Sequence, residues 1–396
     1  MAGTLRLVRG LSAAAGLLIA VGAVTGPAAA EAPAGTSEAR RDGGQLVYVG
    51  TRGRGDGIGI SAARFDAASG QFTPLGLAVE AVNPTWLMAS PHRAVLYAVS
   101  EVGNDGKSDG AVLSYTADAA TGKLTLLSRV ASGGGGATHL ALGGMPPTVF
   151  VANYGGGTVA ALPLQPGGAL LAPSSVQHDT GSGPSPRQAG PHPHAVVSAA
   201  KGRLLLVGDL GADRIFVYKV DPAAHAISPA EQPFVQLTPG TGPRHLALTP
   251  DERFVYSLNE FSNDVAILAF DAGKGRLTAR GRVPATRAGF AGENSPAELL
   301  LSRDGRFLYV SNRGEDTIVV FRVDGRTGRL AEVQRLAVGP NPAALVFDRT
   351  GRWLLVATEG EGKVRAYAVD RARGTLAGGG GSFASAHPVT IAVVGP

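Results

Sequence analysis

Short apolar runs separated by turn residues recur along most of this chain, and the clearest example spans residues 295–337. Three of its runs, at 297–302, 307–311 and 317–323, are each too short for a typical helix, and segments rich in Gly, Asp and Asn separate them. Runs of this kind, rich in β-branched and aromatic side chains, are typical of antiparallel strands joined by hairpins. With a fourth strand from about residue 329 to residue 337, they predict a four-stranded meander.

The second strand of this meander has counterparts throughout the chain. Its third residue recurs every 46 to 56 residues, at Tyr48, Tyr97, Phe150, Leu206, Tyr256, Tyr309 and Leu355. A second marker keeps the same period: an Asp, a Gly four residues later and then a large apolar residue, as in Asp324, Gly328 and Leu330. Two markers with one period predict an all-β fold, a seven-bladed β-propeller of four-stranded antiparallel blades.

The two ends of the repeat region are expected to close the ring. No good innermost strand precedes Leu46, whereas the apolar run at residues 388–394 has no following partner in the sequence. We therefore predict that this C-terminal strand becomes the innermost strand of the first blade. That pairing would remove an exposed sheet edge, and the propeller domain would span residues 45–396.

The N-terminal segment carries the features of a secretory leader. Arg6 and Arg9 precede an apolar stretch at 11–25, and small residues at 28–30 provide a cleavage site. A membrane anchor is the alternative, but it would need about 20 apolar residues. We predict a signal peptide over 1–30, a flexible segment over 31–44, a secreted or extracytoplasmic location and no membrane span after the leader is removed.

Composition narrows the function classes. Lys and Arg number 36 against 31 Asp and Glu, a net charge of +5, and no basic block of the kind that follows phosphates is present. We therefore expect no nucleic-acid partner. The chain has no Cys, which excludes disulfides and a thiol nucleophile. No GxSxG, HExxH or EF-hand motif occurs, so we predict no metal and no cofactor. The protein is expected to be a monomer.

Histidines cluster where the predicted inner strands begin. In a meander, the start of the first strand and the end of the second lie at one end of the blade, here around one mouth of the central channel. The residues that open the inner strands are, in our alignment, Trp86, His139, His194, His245, Glu298, Ala344 and Thr390. A purely structural repeat would place similar residues there. We predict that His139, His194, His245 and Glu298 are catalytic, although any single His could instead only bond nearby backbone.

Candidate binding residues close the second strands or lie in the loops before the inner strands. They are Arg187, Arg244, Glu260, Asn312 and Arg313. Arginine suits bidentate capture of a carboxylate or phosphate. The alternative for Arg187 and Arg244 is a salt bridge to Glu260 or Glu298. Asn312 recurs at the same register as Asn153 and Asn259, which equally suits capping of a turn.

These residue types favour attack of water on a carbonyl. A His or Glu with a pKa near neutrality can serve as a general base. Arginine can hold an anionic substituent and stabilise a developing oxyanion. A metal held by Glu, Asp and Asn at the mouth is an alternative, although no spacing motif supports it.

Several motifs give the chain a resemblance to a known family. They are GSGP…R…GPHxH over 181–194, GPRHL over 242–246 and GENSxAE over 292–298. Through them the chain resembles the lactonase family of seven-bladed propellers, which includes 6-phosphogluconolactonases and carboxymuconate cyclases. The resemblance covers residues 45–396 and implies hydrolysis of a 6-phosphogluconolactone-like or related anionic lactone without a required metal. It places the site on His139, Arg187, His194, Arg244, Glu298 and Glu260.

Two other functions remain open from the sequence. A propeller fold does not imply a function, so the chain could be a secreted, non-catalytic propeller that binds a partner or an envelope polymer. A metal-dependent lactonase is the third hypothesis.

Overall fold

Alternating apolar residues and tight hairpins build every sheet of this protein. The computed structural model describes residues 44–53 and 58–395. Within them, strands pair into seven antiparallel sheets. The innermost strand of each sheet contacts the innermost strands of its two neighbours, and these contacts close a circle. The seven-bladed propeller predicted from the repeat is therefore confirmed.

The strands of the described residues follow the chain in simple order. They are β1 (Gln45–Thr51), β2 (Gly59–Asp66), β3 (Gln71–Glu80), β4 (Leu87–Ala89), β5 (Val95–Ser100), β6 (Ala111–Ala117), β7 (Leu124–Ala131), β8 (Ala137–Gly143), β9 (Thr148–Asn153), β10 (Thr158–Pro163), β11 (Ser175–His178), β12 (Pro193–Ala199), β13 (Leu204–Asp209), β14 (Arg214–Asp221), β15 (Ala226–Gln236), β16 (Pro243–Leu248), β17 (Phe254–Asn259), β18 (Asp264–Asp271), β19 (Arg276–Pro284), β20 (Ser295–Leu301), β21 (Phe307–Arg313), β22 (Thr317–Val323), β23 (Leu330–Ala337), β24 (Pro342–Phe347), β25 (Trp353–Thr358), β26 (Lys363–Val369), β27 (Leu376–Ala377), β28 (Ser382–Ala384) and β29 (Pro388–Val394). Single 3₁₀ turns occur at Pro186–Gln188, Ala200–Gly202 and Glu359–Glu361.

The last strand closes the ring as the sequence predicts. β29 pairs antiparallel with β1, with Leu46 opposite Val394 and Val49 opposite Ile391. The first blade is therefore β29-β1-β2-β3, and the other six follow in sequence from β4. Blade seven differs slightly, because two short strands, β27 and β28, share the place of its outer strand. Four consecutive glycines, 378–381, separate those two strands.

The two sequence markers meet at the boundary between blades. The marker Gly328, at φ +73°, lies against the ring of Phe254, which opens the second strand of the preceding blade. A Cβ atom on Gly328 would lie 2.5 Å from that ring. Gly374 meets Phe307 in the same way. Glycine is required here both for the left-handed backbone and for the close approach.

Apolar side chains fill the spaces between neighbouring blades. Tyr48, Tyr97, Tyr256 and Tyr309, which are four of the repeat markers, are almost completely buried. Each core cluster combines residues of two adjacent blades, so the blades depend on each other for burial. The ring therefore acts as a rigid frame for the loops at its two ends.

The predicted signal peptide and the flexible segment up to residue 43 lie outside the described residues. Residue 44, the last of that segment, is described and leads directly into β1. The part of the chain that the structure describes contains no helix long and apolar enough to cross a membrane.

We expect the closing strand to be important for stability. Ile391 is 7% exposed and packs in a cluster with Val49 and Ala344. Replacing Ile391 with Ala should lower the free energy of unfolding by about 2–5 kcal/mol, because it leaves a cavity where β29 joins the ring. Urea unfolding measures the change. The matched control Leu171→Ala, at a side chain 43% exposed, should change the value by no more than about 0.5 kcal/mol. Equal effects of the two substitutions would contradict this role of β29.

Candidate active site

All seven blades contribute to one cavity at the mouth of the channel. Its volume is about 530 Å³. Its lining includes, in chain order, Arg52, Thr85, Trp86, Glu101, Tyr154, Arg187, His194, Arg244, His245, Glu260, Ser295, Glu298, Arg313 and Glu359. Seven of the nine site residues predicted from the sequence are in this set. The other two, His139 and Asn312, lie outside the lining.

A β-bulge at the start of the inner strands turns extra side chains toward the cavity. In β12, Pro193 pairs with Asp209 and Ala195 with Gly208, which leaves His194 unpaired. Arg244 takes the same bulge position in β16. Bulges near active sites commonly redirect a side chain in this way.

The strand pairing corrects our alignment of the histidines. We expected His194 at the register of His139 and His245, but it lies one position earlier, at the register of Thr138 and Arg244. In β8 and β16 the histidine follows the bulge position, whereas in β12 the histidine occupies that position and Ala195 follows it. His194 nevertheless lines the cavity, as do Thr138 and Arg244 at the same bulge position.

The three imidazoles pack against one another. The ring centroid of His245 lies 5.3 Å from that of His139 and 5.2 Å from that of His194. His139 stacks on Trp86 at 3.9 Å, behind the cavity lining, so it supports the site without facing it. Burial lowers the pKa of all three histidines well below 6.5, and the nearby positive groups add to this effect. They are therefore neutral at pH 7.

The protonation of His245 follows from its two partners. Arg244 Nη1 lies 3.1 Å from Nε2, and Glu298 Oε1 lies 2.7 Å from Nδ1. Arginine can only donate a hydrogen bond, so Nε2 accepts, and in a neutral ring the hydrogen is then on Nδ1. His245 thus donates to Glu298. Its own basic nitrogen is occupied by Arg244 and is not directed at a substrate.

Glu298 is a buried carboxyl group at the cavity wall. Besides His245, the backbone N–H of Leu299 donates to Oε1 at 3.1 Å. Burial raises the pKa of Glu298 from 4.5 to about 8, although Arg244 and the Leu299 N–H act in the opposite direction. Oε2 makes no hydrogen bond to another described residue and is the atom available to water or substrate. A carboxyl that titrates near neutrality at a cavity is the kind of group that serves as a general base.

Glu260 is in the opposite situation, because three arginines surround it. Arg187 Nη1 donates to Oε1 at 2.7 Å, Arg244 Nε donates to Oε2 at 2.9 Å and Arg313 Nη2 donates to Oε2 at 3.3 Å. Burial alone would raise the pKa of Glu260, but the three guanidinium groups lower it from 4.5 to about 2. Glu260 is therefore ionised throughout the neutral range. Three cations share one anion here, so this wall of the cavity keeps an excess of positive charge.

Of the three arginines, Arg187 is the most accessible. Its side chain is 54% exposed, against 11% for Arg244 and 17% for Arg313. Its guanidinium group lies over the Phe261 ring at 5.0 Å and bonds the Tyr154 hydroxyl at 3.3 Å. It comes from the 181–194 loop that the sequence singled out. The salt-bridge alternative holds for Arg187 and Arg244, since both bond Glu260, but both also line the cavity.

Asn312 does not line the cavity. Its side chain is fully buried, and its Nδ2 donates to the Ala285 carbonyl at 2.8 Å. Its Oδ1 accepts from Asn294. These contacts fit the capping of a turn, which is the alternative for Asn312. Its neighbour Arg313 points the other way, because successive strand residues face opposite sides.

Sequence reasoning gave no role to several cavity residues. They are Arg52, Trp86, Glu101, Tyr154 and Glu359. All occupy repeat positions already singled out, since they open an inner strand or follow the end of a second strand. Their positions in the repeat could therefore have identified these residues, whereas their residue types could not. Among the described residues, no three His, Asp or Glu side chains converge as a metal site requires.

The arrangement combines two functions in one cavity. Glu298 can exchange a proton near neutral pH, and the arginine wall can hold negative charge. Trp86 and Tyr154 add aromatic surface. A molecule that gains negative charge during a reaction with water would fit these features.

Comparisons with known proteins agree with this description. A sequence model described as "Lactonase, 7-bladed beta-propeller" matches residues 46–393. The chain is 32% identical to 6-phosphogluconolactonase of Bacillus subtilis strain 168 over 296 residues, which is 75% of this chain and 82% of that protein. It is also similar to the solved structure of a periplasmic gluconolactonase of Pseudomonas aeruginosa, with 35% identity and a TM-score of 0.82 over 89% of this chain and 99% of the other. A solved Lactobacillus plantarum protein has 29% identity and a TM-score of 0.80, over 88% and 99%.

The ion cluster around Glu260 makes a testable contribution to stability. The pKa of Glu260 in the folded protein, about 2, is below the ordinary 4.5. The stabilisation is therefore present above pH 4.5 and is lost as the pH falls toward 2. The shift corresponds to about 3 kcal/mol. At pH 7 the free energy of unfolding of the wild type should therefore exceed that of Glu260→Gln by about 3 kcal/mol. This difference in free energy should become smaller below pH 4.5.

Denaturant unfolding between pH 2 and 7 measures this gap. Glu332→Gln is the control, since the Glu332 side chain is 43% exposed in its pair with Arg335. That substitution should change stability by no more than about 1 kcal/mol. A gap between wild type and Glu260→Gln that does not vary with pH would contradict the cluster's role.

Proposed function

Since this chain belongs to the seven-bladed β-propeller lactonase family, we propose that it hydrolyses a sugar lactone at the channel mouth, with Glu298 as the general base. The observation that carries this proposal is the pair of buried carboxyl groups in one cavity, one titrating at about 8 and the other at about 2. Divergent pKa values of neighbouring acids commonly mark the group that transfers protons.

The proposed reaction is a hydrolysis in two steps. Glu298 Oε2 takes a proton from water, and the water oxygen attacks the lactone carbonyl carbon. The C–O bond of the lactone ring then breaks, and the departing ring oxygen receives the proton back from Glu298. The product is a hydroxy acid, which leaves as its carboxylate after losing a proton to solvent.

The other residues hold these groups in place. His245 donates Nδ1–H to Glu298 Oε1 and so directs Oε2 into the cavity. Arg244 fixes the His245 ring from the other side. The positive wall around Glu260 stabilises the oxyanion that forms on the carbonyl oxygen. We assign Glu260, His245 and His139 to positioning, and His194 to contact with the substrate.

We propose that an acidic substituent of the substrate, such as a phosphate or carboxylate, binds Arg187. The support is its exposure and its place in a wall with surplus positive charge. A 6-phosphogluconolactone-like lactone meets this requirement. We also propose an extracytoplasmic location, which rests on the predicted leader. The name of the Pseudomonas aeruginosa relative, a periplasmic gluconolactonase, supports it.

The second candidate is a secreted propeller that binds a partner or an envelope polymer without catalysis. The discriminating experiment is pH-stat titration of gluconolactone and of its 6-phosphate, corrected for spontaneous hydrolysis. Rates equal to the spontaneous rate for both lactones would remove the enzyme proposal and leave the binding candidate. A rate unaffected by EDTA would remove the metal-dependent alternative.

We expect the rate to follow the ionisation of Glu298. The base form exists above its pKa, so kcat/KM should fall about tenfold per pH unit below about 8 and level off above that value. Glu298→Gln should lower kcat by about 10²–10⁴-fold, since general bases contribute that much. Its residual rate should show no midpoint near 8. Glu231→Gln, at an exposed residue of β15, is the matched control and should leave the rate unchanged. A Glu298→Gln enzyme with the wild-type pH profile would contradict the assignment.

A further inference from the structure

A second groove continues from the catalytic cavity across the loops of the fifth, sixth and seventh blades. Its volume is about 740 Å³, and Arg52, Ser295, Arg313 and Glu359 line both spaces. The groove adds Asn263, Gly292, Glu293, Asn294, Gly314 and Asn341. The shared residues make the two spaces continuous, so the groove extends the site beyond the catalytic cavity.

The floor of this groove is held in a fixed shape. Asn294 Nδ2 donates to Asn263 Oδ1 at 2.7 Å, and Asn294 Oδ1 accepts from the backbone N–H of Glu315 at 3.1 Å. Gly314, at φ +123°, lies so close to the Glu293 carbonyl that a Cβ would be 2.1 Å from it. The two loops are thus packed together, and the groove is preformed, as ligand sites usually are.

The chemistry of the groove suits hydroxyl groups. Every side chain that lines it is polar or is a glycine, so an apolar ligand would find no partner. The side chains of Glu293, Asn341 and Glu359 make no hydrogen bond to another described residue and are available to a ligand. Carboxylates accept hydrogen bonds from sugar hydroxyls, and a side-chain amide can both accept from and donate to them.

Charge distinguishes the groove from the arginine wall. The groove lining has two carboxylates, Glu293 and Glu359, and two arginines, Arg52 and Arg313. Arg313 is shared with the wall, where three arginines surround the single carboxylate of Glu260. An anionic extension would meet two carboxylates in the groove. Arg187 and Tyr154 line the cavity but not the groove, so an acidic substituent bound to Arg187 leaves the groove free for another part of the substrate.

We propose that this groove is a subsite for a neutral second sugar ring, so that the preferred substrate is the aldonolactone of a disaccharide or longer saccharide. This inference rests on the proposed lactone hydrolysis and names its substrate class. The reaction that supplies such a substrate is oxidation of the reducing end of an oligosaccharide to its lactone.

The test compares hydrolysis of glucono-1,5-lactone with that of cellobiono- and maltobiono-1,5-lactone. At least one disaccharide lactone should have a kcat/KM about tenfold higher, which corresponds to one or two additional hydrogen bonds. Glu293→Ala and Asn341→Gly should each reduce that value by about 3- to 10-fold and leave gluconolactone within about twofold. Glycine is chosen at position 341 because the backbone there is left-handed, with φ +56°. Glu231→Ala, on the outer strand β15, should change neither rate.

Failure of the subsite and failure of the proposed function give different results. Hydrolysis of gluconolactone with no preference for a disaccharide lactone, and with both groove variants unaffected, would overturn the subsite and leave the function intact. Absence of hydrolysis for all three lactones would overturn the function. Binding measured by calorimetry then tests the subsite separately. The subsite is supported if cellobionate or maltobionate binds at least tenfold tighter than gluconate and Glu293→Ala loses this gain. Equal binding of the three acids overturns it.

Discussion

The structure depends on one contact that recurs between blades: a glycine of an outer hairpin lies against the residue that opens the second strand of the preceding blade. Gly70 meets Trp353 in this way, across the junction between the last and the first blade. No larger residue fits at these glycines, so the contact fixes the spacing of the blades. It lies at the end of each blade opposite the cavity, which leaves the loops at the channel mouth free to carry unlike residues.

At that mouth, one arginine links two carboxyl groups that behave in opposite ways. Arg244 bonds Glu260 directly and reaches Glu298 only through His245. Direct contact with three cations keeps Glu260 ionised. Glu298 has a neutral imidazole as its nearest side-chain partner, so the cost of burying its charge dominates. The difference in ionisation therefore comes from the arrangement of partners and not from burial, which both groups share.

The sequence predicted the fold well because the fold is repetitive. Two markers with one period specify the blades, and an unpaired strand at 388–394 specifies the closure. It also predicted which repeat positions surround the mouth. It could not show that His194 takes the bulge position rather than the position after it, because that depends on strand pairing, or that Arg313 rather than Asn312 faces the cavity. The pKa of Glu298 and the second groove arise from packing between distant loops, which carries no local signal.

The central claim is that Glu298 exchanges a proton near neutral pH. Infrared difference spectroscopy of wild type minus Glu298→Gln, recorded over a pH titration, isolates the carboxyl band of this one residue. The band of the protonated acid should be present at pH 7 and disappear with a midpoint at about 8, together with the rise of kcat/KM. A midpoint near the ordinary 4.5 would contradict the account, because Glu298 would then be fully ionised at neutral pH and its titration could not shape the rate.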